Sequence, residues 1–311
     1  EPSAGEFSGS SRAIPCCDRA GDGHCSAGGG TDAFARPIAA QLTEQLGKQV
    51  IIDNRGGAGG TVGASVAAKA APDGYTWFIG ASHHTIAPSM YKTLDYDIQK
   101  SFIPVALLAS VPQVLVVNPG RVNARNLKDF IALMKKNPGK YNFASAGSGT
   151  VHHLAGELFK IQTGTFIVHI PYRGAGPAMS DLLAGQVDLE FDGLGTSAPQ
   201  INAGKLFAIA VAADKRNPAI PNVPTFAEAG LPDYKVSTWY AMFAPAGTPK
   251  PIIDKMTAEV QKALNNPKLK AIWASNGAET PNLYGPAFGQ LVAADVKRWA
   301  EVVQKSGAKL D

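Results

Sequence analysis

The sequence predicts an α/β protein built on a parallel sheet, and three observations predict it. Short apolar runs rich in Val, Ile and Phe alternate with stretches whose apolar residues recur at helical spacing, the signature of βαβ units. Glycine marks the strand-to-helix junctions at residues 26–32, 55–61 and 146–150. The chain has 311 residues, 45% hydrophobic and 17% charged, with a net charge of +4, which fits one large or two ordinary globular domains.

The elements follow in order. "SAGGGTDAFARPIAAQL" is a glycine loop entering a helix, with Phe34, Ile38, Leu42 and Leu46 on one face. Thr31 or Asp32 serves as N-cap, and Pro37 sits near the start, where the first turn accepts it. "KQVIIDN" reads as a buried strand, "RGGAGGTVGASVAAKAAPDG" as a loop, a small-residue helix and a turn, and "YTWFIGAS" as a strand. "VALLASVPQVLVVNPG" gives two adjacent strand-like runs, and residues 126–136 a helix. "YNFAS", the loop "AGSGT" and "VHHLAGELFKIQTG" repeat the strand–loop–helix pattern. "FIVHIPYRG", "AGPAMSDLLAGQ", "VDLEFDGLG" and "LFAIAVAA" read as strand, helix, strand with a polar turn, and strand. After a proline-rich stretch come the strand-like "VSTWYAMFAPAGTPK" and two helices, at about residues 251–274 and 286–306. No internal repeat is visible.

One element conflicts with the pattern. The stretch before the first loop, "SRAIPCCDRAGDGHC", is no apolar strand, because a parallel strand buried on both faces cannot take Asp18, Arg19, Asp22 and His24 unpaired. Read one nucleotide forward, codons for residues 17–25 admit Val, Thr or Ile, Val, Pro or Leu, Val, Met, Val, Ile and Val. Residues 1–25 are therefore expected to be a frameshifted reading of an apolar strand, the alternative being a divergent or vector-derived terminus. Extended backbone is expected at about residues 17–25, beside a strand at residues 50–53.

Several chemistries are excluded or disfavoured. No run approaches the roughly 18 unbroken apolar residues of a membrane helix. The Lys and Arg residues are scattered, which argues against a nucleic-acid surface. The three cysteines, Cys16, Cys17 and Cys25, all lie before the first loop, and with His24 they match no common zinc spacing. GxSxG, GxxxxGK[ST] and HExxH are absent. "GSGTVH" carries His152 where a dinucleotide fingerprint needs its last glycine, and "GGAGGTVG" follows the second strand with no acidic residue ending a third. No enzyme activity, cofactor or metal is expected.

The histidine pairs His83–His84 and His152–His153 point in different directions, so neither chelates a metal by itself; one buried or loop-satisfied ring and one solvated ring are expected in each. Asp188, Glu190 and Asp192 alternate with apolar residues and share one face, read as near solvent or a hinge. What remains is binding. "AGGGTD", "GASHHT" and "AGSGTVHH" end strands with small residues and hydroxyls (Thr31, Ser82, Thr85, Ser148, Thr150), groups that suit a carboxylate at a helix N-terminus.

"AGGGTD", "NRGGAGGTVGA", "APDGYT", "ASAGSGTVHHLAGELF", "PYRGAGPAMSDLLAGQVD", "PTFAEAG" and "WYAMFAPAGTP" occur in this order, and the chain resembles the Bug receptors, solute-binding proteins of tripartite tricarboxylate transporters, over about residues 26–311. The resemblance implies a two-lobed periplasmic binding protein of type II topology, each lobe a mainly parallel sheet flanked by helices. One lobe would comprise residues 1–110 and 237–311, the other residues 111–236, with hinge crossings near residues 105–117 and 237–244. It further implies a monomeric periplasmic receptor, its signal peptide removed. The receptor would close on a small carboxylate (aspartate, glutamate or a C4 dicarboxylate) and deliver it to the membrane components of the transporter. By the same resemblance, Ala27, Gly28, Gly30 and Asp32 in one lobe and Ser148, Gly149, Thr150 and His152 in the other would hold the carboxylate. Ser82, His83, Tyr172 and Arg173 would read the distal end, with Asp192 a further candidate. The other readings weighed are a nucleotide-dependent α/β enzyme and the effector domain of a transcription regulator, whose helix-turn-helix the first 25 residues cannot build.

Overall fold

The computed structural model describes residues 12–16, 30–55, 60–172 and 174–308. In chain order the elements are β1 (Arg12–Cys16), α1 (Gly30–Leu46), β2 (Val50–Asn54), α2 (Thr61–Ala68), β3 (Phe78–Ala81), α3 (His83–Met90) and β4 (Phe102–Val117). There follow α4 (Leu127–Lys136), β5 (Asn142–Ser145), α5 (Val151–Thr163), β6 (Val168–Pro171), α6 (Ala175–Ala184), β7 (Leu189–Gly193), α7 (Leu194–Asn202) and β8 (Phe207–Val211). The chain then runs through β9 (Ser237–Pro245), α8 (Lys250–Leu264), α9 (Pro267–Ser275) and α10 (Gly285–Ser306).

The strands form two sheets joined through β4. In the first the order is β2-β1-β3-β9-β4; in the second, β4 pairs with β7 and β8, and β7 leads to β5 and β6. Each sheet has the same plan: the second strand outermost, then the first, the third, a crossing strand, and a final strand. The crossing strand is β9 in the first sheet and β4 in the second. Outer pairs are parallel (β1–β2, β1–β3, β5–β6, β5–β7), as expected, whereas every pairing onto a crossing strand is antiparallel. A sequence without repeats thus folds into two copies of one topology, the two-lobed architecture that the resemblance implies.

Local chemistry explains the departures from expectation. The two strand-like runs are one strand, β4, which leaves β9 at Pro112↔Ser237 and takes up β7 at Gln113↔Gly193. Proline has no N–H to give a ladder, and it is tolerated where a strand changes partner. The helix expected over residues 251–274 is two helices, because Asn266 caps α9 by accepting from the Lys268 N–H and Pro267 opens its first turn. Helices α3 and α7 were not expected at all. The strand beside β2 is Arg12–Cys16, in parallel register from Arg12↔Val50 to Cys16↔Asn54; residues 17–25, where it was expected, lie outside the described residues.

Three apolar clusters hold the lobes. One joins α1, α8 and α9 to β4, and continues under α6 and α7. A second packs Phe130, Phe143, Phe159, Phe191 and Tyr234 in the second lobe and takes in Trp299, Val302 and Val303 of α10. The third sets Phe78, Phe102, Trp239 and Phe243 against Phe288 and Val292, from the other end of the same helix. Among the described residues, no helix is long and apolar enough to cross a membrane.

Candidate functional site

In the second lobe, three helices begin at the carboxyl ends of strands: α5 behind Thr150, α6 behind Gly174 and α7 behind Gly193. The loop into α5 is held in shape by its own polar groups. Ser145 Oγ accepts from the Gly147 N–H at 3.1 Å and lies 2.6 Å from His169 Nε2. The Gly149 N–H donates to His153 Nδ1 at 3.1 Å, and Thr150 Oγ1 accepts from the His153 N–H at 3.2 Å. Gly147 and Gly149 hold φ of 133° and 78°, where a side chain would be strained, and a Cβ on Gly147 would stand 3.3 Å from the Tyr172 carbonyl. His153 stacks on His169 at 3.8 Å; burial, then the His153 and Lys160 charges, push His169 down to about 3.

These bonds decide what the loop offers a ligand. The Gly149 and Thr150 N–H groups are engaged within it, the latter on the Gly147 carbonyl. Thr150 Oγ1 accepts from the cap, so its own proton remains to donate, beside the N-terminal turn of α5 with its partial positive charge. Of the residues expected to hold a carboxylate, Ser148, Gly149, Thr150 and His152 are thus gathered in one place.

His152, in the first turn of α5, meets the end of β7. Its Nδ1 lies 3.3 Å from Glu190 Oε1 and 3.6 Å from Asp192 Oδ1. Asp192 Oδ2 accepts from the Thr196 and Ser197 hydroxyls in α7, so this carboxylate also serves the helix start. Burial, then the Asp192 charge, raise Glu190 to about 7, against the pull of His152. Burial lowers His152, but its bond to Glu190 and the Asp192 and Glu190 charges outweigh that and leave it raised.

Glu190 and Asp192 correct the solvent-facing reading of the alternating acids. Both are fully buried, and Asp188 is buried too, held by the Arg121 guanidinium and the Asn142 N–H. Their cross-strand neighbours Val114, Val116 and Ala144 belong to the cluster packed under α6 and α7, which covers that face. The reading of one solvated ring per histidine pair also fails. His83, His84, His152 and His153 are all buried, because each pair opens a helix whose N-terminal turn is packed over.

In the first lobe, Ser82 stands between β3 and α3, and His83 is the first residue of α3. The Ser82 N–H donates to the Trp239 carbonyl on β9, and the neighbouring Thr238 hydroxyl accepts from the Gln113 amide on β4. Gln113 pairs with Gly193, next to Asp192. The two strand ends therefore meet across the crossing strands. His84 turns into the core, bonding Tyr96 at 2.8 Å and packing on Phe78. Asp32 lies in the first turn of α1, its carboxylate accepting from Arg36 Nε at 2.7 Å and from the Asn54 amide. Gly30 opens α1; Ala27, Gly28 and Arg173 lie outside the described residues. The Tyr172 hydroxyl donates to Asp181 and is pushed up to about 12 by desolvation and then by that carboxylate. Ser145, His153, His169 and Glu190 shape the site without having been expected there. The doubled histidines and the period-2 acids were the sequence signals for His153 and Glu190; Ser145 and His169 carried none.

The comparisons with known proteins agree with this architecture. A family model described as "Tripartite tricarboxylate transporter family receptor" matches residues 34–308. Protein BugT of Bordetella pertussis is 38% identical over 286 residues, 91% of this chain and 87% of that protein. Among solved structures, "R. palustris Rpa4515 with adipate" is 32% identical with a TM-score of 0.85, covering 98% of this chain and 100% of that one. "MatC (Rpa3494) from Rhodopseudomonas palustris with bound malate" is 34% identical with a TM-score of 0.80, covering 94% and 98%.

Proposed function

Because the chain belongs to the tripartite tricarboxylate transporter receptor family, a family of periplasmic solute-binding receptors and not of enzymes, we propose that its solute is a small carboxylate, an acidic amino acid or a C4 dicarboxylate. The solute is captured between the lobes and handed to the membrane components of a tripartite transporter. The lobes are residues 1–110 with 237–311, and residues 111–236, hinged at β4 and β9. The single observation that carries this reading is Thr150. Its hydroxyl proton and the α5 N-terminus form a donor site for an oxyanion, preset by the Ser145–His169 and Gly149–His153 bonds. The adipate and malate bound to the two similar proteins support the same ligand class.

In this reading Ser148, Gly149, Thr150 and His152 surround the near carboxylate. Ala27, Gly28, Gly30 and Asp32 close on it from the other lobe. Ser82, His83, Tyr172, Arg173 and Asp192 meet the distal end. The test is thermal-shift and calorimetric titration of ligand-stripped protein against aspartate, glutamate, succinate, malate, adipate, citrate and nicotinate. A ligand at a hundred times its Kd stabilises by about 2.7 kcal/mol, a readily measured rise in Tm. Stabilisation by none of the seven would overturn the reading.

A further inference from the structure

The His152–Glu190–Asp192 cluster is joined by one long hydrogen bond, between His152 Nδ1 and Glu190 Oε1. Charge-assisted N–H···O bonds close to about 2.7–2.9 Å, whereas His152 Nδ1 stands 3.3 Å and 3.6 Å from the two carboxylates. Two donor atoms about 2.1 Å from a tetrahedral metal ion are about 3.4 Å apart, a length these two edges bracket. The ligating atoms of all three residues lie within 4.8 Å of one another.

The second observation is incomplete bonding. Glu190 Oε2 and Asp192 Oδ1 are fully buried and accept no hydrogen bond, although each belongs to a side chain with 0% exposure. Among the described residues, the ion-pair partner of both carboxylates is His152 alone. Two buried carboxylates share one imidazole, an arrangement that penalises ionising both at once unless a further positive charge joins them. A divalent cation held by one oxygen of each carboxylate and by the imidazole would balance both charges.

We propose that His152 Nδ1, Glu190 and Asp192 form a binding site for a divalent first-row transition cation. The mixed nitrogen–oxygen donor set suits zinc and disfavours magnesium and calcium, which take oxygen shells. Three protein ligands leave a position open. That position serves the solute's carboxylate, a step that rests on the proposed carboxylate function. It also removes a conflict, since an anion seated at Thr150 would otherwise share the first turn of α5 with the two buried carboxylates that His152 meets.

The experiment is a calorimetric titration of zinc chloride into the full chain, chelator-dialysed and with its cysteines alkylated so that Cys16, Cys17 and Cys25 do not compete. One equivalent is expected to bind, with affinity falling at least thirtyfold in both Glu190→Gln and His152→Gln, and magnesium chloride giving no comparable heat. Far-UV circular dichroism checks that each variant is folded. If the unsubstituted chain binds no zinc, the site is overturned whatever the variants do; if folded variants bind zinc unchanged, the assignment is overturned. Succinate, malate and adipate are then titrated with and without zinc. Tighter binding with zinc supports the open position, and equal binding refutes that step. Failure of every carboxylate overturns the proposed function, while the zinc result still decides the metal site.

Discussion

His84 should make the stability of this protein fall in mild acid by an amount that can be worked out. Its ring is fully buried between Phe78 and the Tyr96 hydroxyl, and burial lowers its pKa from 6.5 to about 3. The folded value lies below the unfolded one, so the neutral ring's contribution is complete above pH 6.5 and lost as the pH falls. Unfolding then takes up a proton that the native state refuses. At about 1.4 kcal/mol per pH unit, the loss reaches about 2 kcal/mol at pH 5. His84→Asn keeps a hydrogen-bonding group opposite Tyr96 and removes the titration. At pH 7 the variant should be less stable by about 1–3 kcal/mol, from the lost ring packing. Urea denaturation followed by circular dichroism at pH 7 and pH 5 gives both stabilities. Because the other titrating groups are common to both proteins, their contributions cancel in the difference. The gap should shrink by about 2 kcal/mol on going to pH 5. A gap independent of pH would refute the argument.

Four further variants test the site and its support. Thr150→Ala removes the α5 cap, costing about 1 kcal/mol in chemical denaturation. It should also weaken every carboxylate ligand by about tenfold or more through loss of a charged hydrogen bond, measured by calorimetry. His83→Ala should instead reorder the ligands, so equal losses for both variants would contradict that division. Gly147→Ala forces a side chain to φ 133° and 3.3 Å from the Tyr172 carbonyl, and should lower affinity by distorting the loop, seen in the same titrations. Gly156→Ala would place a Cβ 2.3 Å from Phe143 Cε2. Overpacking of about 1–3 kcal/mol should outweigh the gain in helix propensity, and Tm should drop.

Much of this was legible in the sequence, for a physical reason: local period and turn chemistry are written in neighbouring residues. The helix expected over residues 126–136 is α4, capped by Asn126, whereas Thr31 and Asp32, expected to cap α1, lie inside its first turn because Gly30 already opens the helix. Burial of charge was not legible, because it depends on what packs above. Alternating Asp188, Glu190 and Asp192 look like a solvent face until α6 and α7, the helices on either side of β7 in the chain, fold back over them, and the period of the strand does not say which face they cover. Nor did "SHHTIAPSM" announce α3, since its histidines, serine and proline are weak helix formers and tertiary packing of Ile86 and His84 decides the matter. The strand beside β2 is formed by Arg12–Cys16, whereas extended backbone was expected at about residues 17–25, which lie outside the described residues.

Helix α10 has a meaning for folding as well as for shape. Its first turns put Phe288 and Val292 into the core of one lobe, and its last put Trp299, Val302 and Val303 into the core of the other. A fragment made of residues 111–236 alone would lack Trp299, Val302 and Val303 from the cluster that holds Phe159, Phe191 and Tyr234, and it should be less stable than the same segment in the full chain. Unfolding one strips apolar contacts from its partner, and the two should melt together in a single cooperative transition.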